Sequence, residues 1–136
     1  MLAKENYLHI IKIDYALSPK TFYGRYLKDL QRFFRELNIN PGKRLLCIDL
    51  LNCEAIEGNV IPNLFVTGYI IKSHIGEAAR LYLQPGANVS AFLQGINFYN
   101  INREQQIFEI IPDTSEEKER YRLADYCTTS VFKETL

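Results

Sequence analysis

The chain has no tryptophan, one methionine, and only two histidines and three cysteines among its 136 residues. The histidines, His9 and His74, are far apart in sequence, and no Cys or His pair has the spacing of a zinc site. The seven glycines are spread along the chain, so there is no Gly-rich loop of the kind that cradles nucleotide phosphates. We therefore expect neither a metal centre nor a bound cofactor.

Long hydrophobic runs are also missing. No apolar stretch reaches about 18 residues, and the first residues do not have the pattern of a secretory signal peptide. With an odd number of cysteines, the sequence predicts a cytoplasmic protein with reduced thiols and no membrane contact. Cys47 is expected to be a small core residue, and Cys53 has no basic residue close in sequence that would lower its pKa.

Formal net charge is zero, but the charges are unevenly distributed. Residues 1–44 hold nine Lys/Arg and four Asp/Glu, whereas the remainder holds seven and twelve. This separation favours an electrostatically steered protein partner or self-association, or simply two solvated faces of opposite sign. We do not expect nucleic-acid binding by the basic residues of the first helix, because the aromatic residues among them, Tyr23 and Tyr26, share its apolar stripe and should be buried.

Strand-like and helical segments alternate along the chain. The predicted strands are residues 7–13, 44–51, 79–84 and 106–111, and the predicted helices are residues 18–39, 59–75, 88–94 and 114–132. The β-α-β-α-β-α-β-α order predicts a single α/β domain with a four-stranded, mainly parallel sheet and right-handed crossovers. We expect residues 1–112 to form this domain, and 113–136 to be a C-terminal helix that docks on it or leads to a further domain.

The second predicted helix is apolar almost all round. Its core stripe consists of Ile61, Leu64, Gly68, Ile71 and Ile75, and further apolar residues lie beside or opposite that stripe: Val60, Phe65, Val66, Tyr69 and Ile70. A helix with this pattern is covered by two surfaces. One should be the sheet, and the other should be either neighbouring helices or a partner chain.

The segment from Arg44 to Asn59 has the strongest functional pattern. Its apolar run is interrupted only by Asp49 and ends in an acidic loop, and open α/β sheets place their sites at the carboxyl ends of such strands. Asp49, Glu54 and Glu57 would be the carboxylates of an alternative function, a small ligand-binding or catalytic α/β domain that uses this loop. The structural alternative is that Asp49 accepts hydrogen bonds from loop amides and Glu57 lies favourably before a helix N-terminus.

Residues 45–59 (LLCIDLLNCEAIEGN), with the helix after them, resemble the STAS domain family, best known from bacterial anti-sigma-factor antagonists. In that family a hydrophobic strand ends in Asp-Leu, and an Asp-Ser-Ser-Gly-like turn opens the second helix. The later strand from Arg80, the short helix from Asn88 and the turn at residues 95–98 also match the family pattern, and the match is best over residues 44–111. The resemblance implies a STAS-like fold and a non-enzymatic regulatory domain that binds protein.

In partner-switching STAS domains, a Ser in this turn is phosphorylated by a kinase of the histidine-kinase-like ATPase type, and the added charge breaks an interface. Here residues 56–60 read Ile-Glu-Gly-Asn-Val, so the turn has no Ser or Thr. We therefore expect protein binding without phosphorylation switching. The partner would be such an ATPase or a second copy of the chain.

The partner-binding surface is predicted at this turn and on the exposed side of the second helix. Its candidate residues are Glu54, Glu57, Gly58, Asn59, Asn63 and Thr67. Glu57 supplies a fixed negative charge, and Asn59 is expected to cap the helix. No catalytic residue is assigned.

Overall fold

A computed structural model of the protein describes residues 7–39 and 44–111. Its elements, in chain order, are β1 (Tyr7–Lys12), α1 (Pro19–Thr21), a π-helical turn (Phe22–Tyr26), α2 (Leu27–Ile39), β2 (Arg44–Asp49), a 3-10 turn (Gly58–Val60), α3 (Ile61–Ile75), β3 (Ala79–Tyr82), α4 (Asn88–Gly95), α5 (Phe98–Gln105) and β4 (Phe108–Ile111). No helix in the described ranges is long and apolar enough to cross a membrane. The predicted C-terminal helix and the 113–136 boundary lie outside the described residues.

The four strands form one parallel sheet with the order β1-β2-β3-β4, which confirms the predicted α/β architecture. When each strand lies beside its predecessor and every crossover is right-handed, all connecting helices lie on the same face of the sheet. The packing agrees with this geometry. Helix residues such as Phe33 and Leu64 share one buried cluster with the strand residues Ile11, Ile48 and Leu81. Successive side chains of a strand point to opposite faces of the sheet, and these three point to the face that the helices cover.

The first helix begins where the Ser18-Pro19 pattern predicts. The Ser18 hydroxyl accepts a hydrogen bond from the Thr21 amide at 3.3 Å, and the Thr21 hydroxyl accepts one from the Ser18 amide at 2.8 Å. This reciprocal capping box satisfies two amides that the first helical turn would otherwise leave unpaired. The π-helical turn follows directly and places both Phe22 and Tyr26 in the core.

The approach of α3 to the sheet depends on a glycine. A Cβ atom added at Gly68 would lie 2.5 Å from Phe108 Cζ and 2.6 Å from Ile107 Cγ2, closer than such atoms can pack. Because any side chain at this position would push the helix away, Gly68 sets the distance between α3 and the start of β4.

Two predicted boundaries are wrong around the last crossover. The third strand ends at Tyr82 rather than residue 84, and the fourth begins at Phe108 rather than residue 106. Residues 98–105, for which no helix was predicted, form α5, which ends at Gln106 in a left-handed conformation (φ 55°). The Asn102 side chain then joins helix to strand, since its amide donates to the Phe108 carbonyl at 2.8 Å and accepts from the Phe108 amide at 2.7 Å.

Candidate functional site

The acidic turn after β2 is held by backbone hydrogen bonds to the loop after β1. The Leu17 amide donates to the Ala55 carbonyl at 2.8 Å, and the Glu57 amide donates to the Leu17 carbonyl at 3.0 Å. These bonds form a short parallel bridge between Leu17 and Ile56, both buried. The exposed residues on either side of Ile56 are therefore fixed relative to the sheet, although the segment is a loop.

Asp49 accepts a hydrogen bond from a loop amide, which is the structural role that we gave as the alternative to catalysis. Its Oδ1 accepts a hydrogen bond from the Leu51 amide at 2.9 Å, which shapes the start of the loop. Glu54 and Glu57 are exposed, and neither side chain forms a hydrogen bond or ion pair within residues 7–39 and 44–111. In this arrangement the two glutamates present negative charge to solvent, and no hydrogen bond joins the three carboxylates.

The two cysteines in the described ranges are poor nucleophiles. Cys53 Sγ lies 3.4 Å from the carbonyl oxygens of Tyr15 and Ala55, and burial raises its pKa above the ordinary value. Burial likewise raises the pKa of Cys47 to about 11. Both thiols therefore stay protonated at neutral pH. The same part of the chain contains no group of three His, Cys, Asp or Glu residues that could hold a metal ion.

The start of α3 differs from the prediction at Asn59. The helix is preceded by the 3-10 turn, whose N-cap position is Glu57, and Asn59 lies inside that turn without a side-chain capping bond. The prediction that Asn59 caps the helix is therefore wrong, because the extra turn moves the first free amides toward Glu57. Glu57, Gly58 and Asn59 are all exposed, and Gly58 lies beside Phe92 of α4.

Neighbouring helices cover both flanks of α3. On one flank, Asn63 Nδ2 donates to the Tyr23 hydroxyl at 3.2 Å, and the His74 ring packs on Phe34 with centroids 4.9 Å apart. On the other flank, Phe65 stacks on Phe98 of α5 at 4.8 Å. The sequence left open whether helices or a partner chain cover this helix, and helices cover its two sides.

The outward side of α3 remains exposed and apolar. Val66, Tyr69 and Ile70, which we call the α3 stripe, are 55%, 63% and 40% exposed, and Tyr23 beside them is 57% exposed. Tyr23 was expected to be buried with Tyr26, and this expectation is wrong for Tyr23. Phe22 and Tyr26 are four residues apart and share the inward side of the turn, whereas Tyr23 is rotated by roughly 100° from Phe22 and lies outward.

The structure divides the predicted partner-binding residues into two groups. Glu54, Glu57, Gly58 and Asn59 form an exposed turn, whereas Asn63 and Thr67 are half-buried between helices. The Thr67 hydroxyl donates to the Leu64 carbonyl at 2.9 Å and lies 3.5 Å from the Tyr26 hydroxyl. The α3 stripe was not among the predicted site residues. The all-round apolar pattern of this helix indicated that some apolar side chains would lie away from the sheet.

The basic residues predicted on the first helix lie on the outer surface of α2. Lys28, Arg32 and Arg35 are exposed, and Arg32 pairs with Asp29 at 3.1 Å. With Tyr26 buried, the described part of this surface does not offer the row of stacking aromatic residues that single-stranded nucleic acid requires.

Comparison with known proteins found no relative of this chain. A scan against protein-family models, a search of curated proteins and a search of solved structures each found no match. The STAS resemblance therefore stays a prediction from residues 45–59 and the element order.

Proposed function

We propose that the chain is a non-enzymatic, STAS-like domain that binds a protein partner through the α3 stripe and the acidic turn, without a phosphorylation switch. The observation that carries the proposal is the α3 stripe itself. Three large apolar side chains lie in a row on the solvent side of a helix whose other sides are packed. Adjacent exposed apolar residues with a polar rim are typical of protein-binding surfaces.

The stripe is also suited to binding by its rigidity. Valine and isoleucine have few rotamers, and tyrosine contributes a large contact area for two torsions, so ordering these side chains costs little entropy. Tyrosine is common among the residues that dominate interface energetics. The bond between Asn63 and Tyr23 adds a second tyrosine at the side of the stripe.

The acidic turn gives the proposed surface its polarity. Glu54 and Glu57 lie before the N-terminal end of α3, and residues 56–60 contain no Ser or Thr whose phosphorylation would change the charge of the turn. We infer a partner with an apolar centre and a basic residue that faces this end. A histidine-kinase-like ATPase is the partner class that the STAS resemblance implies, and a second copy of the chain is the other partner in our proposal.

The test is affinity capture from native lysate with the wild-type chain, a Tyr69→Ala variant and a Gln31→Ala control variant, followed by calorimetry with the purified captured protein. Gln31 is exposed like Tyr69 but lies on α2, outside the proposed surface. We expect Tyr69→Ala to weaken binding by about 1–3 kcal/mol, and Gln31→Ala to leave it unchanged. Equal affinity for the two variants would reject this surface, and light scattering over a concentration series separates self-association from a different partner.

A further inference from the structure

The face of the sheet opposite the helices has a buried apolar centre of its own. Cys47, Tyr82 and Ile111 form a cluster separate from the main core and are 0%, 3% and 2% exposed. Leu8 and Leu51 pack against this cluster at its margin. We call this surface the second sheet face.

No helix in the described ranges packs on the second sheet face. The buried apolar side chains of α2, α3, α4 and α5 belong to the main core, which agrees with the strand order and with right-handed crossovers. Neighbouring side chains within a sheet shield one another from the side but leave a tyrosine ring open from above. The near-complete burial of Tyr82 therefore requires a covering layer, as parallel sheets generally have on both faces.

We propose that residues 113–136 dock on the second sheet face as an amphipathic helix. Three segments lie outside the described ranges: residues 1–6, the short connection 40–43, and residues 112–136. Only the last has the length of a covering element. It also leaves the sheet at Ile111, which is itself part of the cluster to be covered.

Dimensions and pattern fit this occupant. The helix predicted over residues 114–132 would be about 28 Å long, and four strands spaced about 4.8 Å apart span about 14 Å between their outer axes. Its apolar stripe is narrow and consists of Tyr121, Ala124, Cys127 and Val131, which suits a cluster of three buried residues. Seven charged residues lie outside the stripe between Glu116 and Asp125, as expected for a helix with one side on the sheet and the other in water.

The first test measures protection of the Cys47 thiol from alkylation in the full chain, with peptide mass spectrometry to resolve each cysteine. Val131→Glu places a charge on the predicted stripe, and Thr129→Glu places the same charge on the polar side of the same predicted helix, away from the stripe. We expect Val131→Glu to raise the Cys47 alkylation rate roughly tenfold or more, because undocking exposes the thiol, and Thr129→Glu to leave it unchanged. Equal rates in the two variants would overturn the proposal.

The second test does not depend on a destabilising variant. A spin label on Ser130→Cys, in a chain with Cys47→Ala, Cys53→Ser and Cys127→Ala, broadens nearby methyl signals. Ile10, which pairs with Cys47, and Ile111 lie on the second sheet face. Their neighbours Ile11 and Ile110 point to the helix side, so each pair is a matched probe. We expect greater broadening of Ile10 and Ile111 than of their neighbours.

Mixing labelled chains with isotope-enriched unlabelled chains identifies the occupant. Broadening that occurs only when label and isotope are on the same molecule supports docking of the chain's own segment. Broadening between molecules means that a second copy covers the face, and equal broadening within each isoleucine pair means that the segment lies elsewhere. Either of these two results would overturn the proposal.

Discussion

Two apolar surfaces of this protein lie away from the main core, and they differ in exposure. The α3 stripe presents Val66, Tyr69 and Ile70 to solvent, whereas Cys47 and Tyr82 on the second sheet face are buried. Both surfaces contain a tyrosine and aliphatic or thiol groups, so composition does not separate them. An apolar face is therefore a candidate binding surface only when nothing in the same chain covers it.

Truncating the two tyrosines, Tyr82 and Tyr69, should separate the two surfaces most strongly in their effect on stability. Tyr82→Ala should lower the free energy of unfolding by about 3–5 kcal/mol, because it leaves a cavity where a large buried ring was removed. Tyr69→Ala should change it by less than about 0.5 kcal/mol, since that ring is exposed. Urea unfolding of both variants measures the two values.

Tyr82→Phe is the control for this pair, because it keeps the ring and removes only the hydroxyl 3.8 Å from Cys47 Sγ. Tyr82→Phe should lower the free energy of unfolding by only a small part of the decrease expected for Tyr82→Ala. If Tyr82→Ala is as stable as Tyr69→Ala, the second sheet face is open in solution and the contrast between the two surfaces disappears.

A smaller effect is expected at Gly68, which holds α3 against the sheet and so fixes the position of the stripe. Gly68→Ala should lower the free energy of unfolding by about 1–3 kcal/mol, because the new methyl group would overlap Phe108 and Ile107. In a free helix the same change would be stabilising. Thermal unfolding gives the sign, and Gly24→Ala, where an added Cβ meets no atom within 4 Å, is the matched control in another helical turn.

The order of strands and helices could be predicted from the sequence. In most segments of the main core, the apolar residues recur with the spacing of a helix or form the continuous run of a buried strand. The helix α5 could not be predicted, because its inward positions are Phe98 and Asn102, and a polar residue at one of them breaks the apolar period. Asn102 is buried because its side-chain amide pairs with the backbone of Phe108. That partner lies six residues away across a left-handed turn, which a local pattern does not reveal.

The candidate site was predicted only in part, for a similar reason. The turn at residues 54–59 follows from the end of a buried strand, and its exposure agrees with its polar composition. The α3 stripe does not follow from pattern, because the inward and outward sides of that helix are both apolar. Only the packing of Asn63 against Tyr23 and of Phe65 against Phe98 shows which side is left uncovered.

The smallest expected effect compares the two thiols at alkaline pH. Burial raises the pKa of Cys47 from 9.0 to about 11, so the unfolded chain loses this proton first as pH rises. The free energy of unfolding is therefore unaffected by this group at neutral pH and falls between about pH 9 and about pH 11, by on the order of 1 kcal/mol near about pH 9.5.

Urea unfolding across this range should show a shallower fall for Cys47→Ala than for wild type, and tyrosines that also titrate there contribute equally to both. Cys53→Ala should flatten the curve less, because Cys53 on the turn is only half-buried. An unchanged slope in Cys47→Ala would mean that water reaches this thiol in the folded protein. The second sheet face would then resemble the α3 stripe in accessibility, and the covering layer would have to be transient.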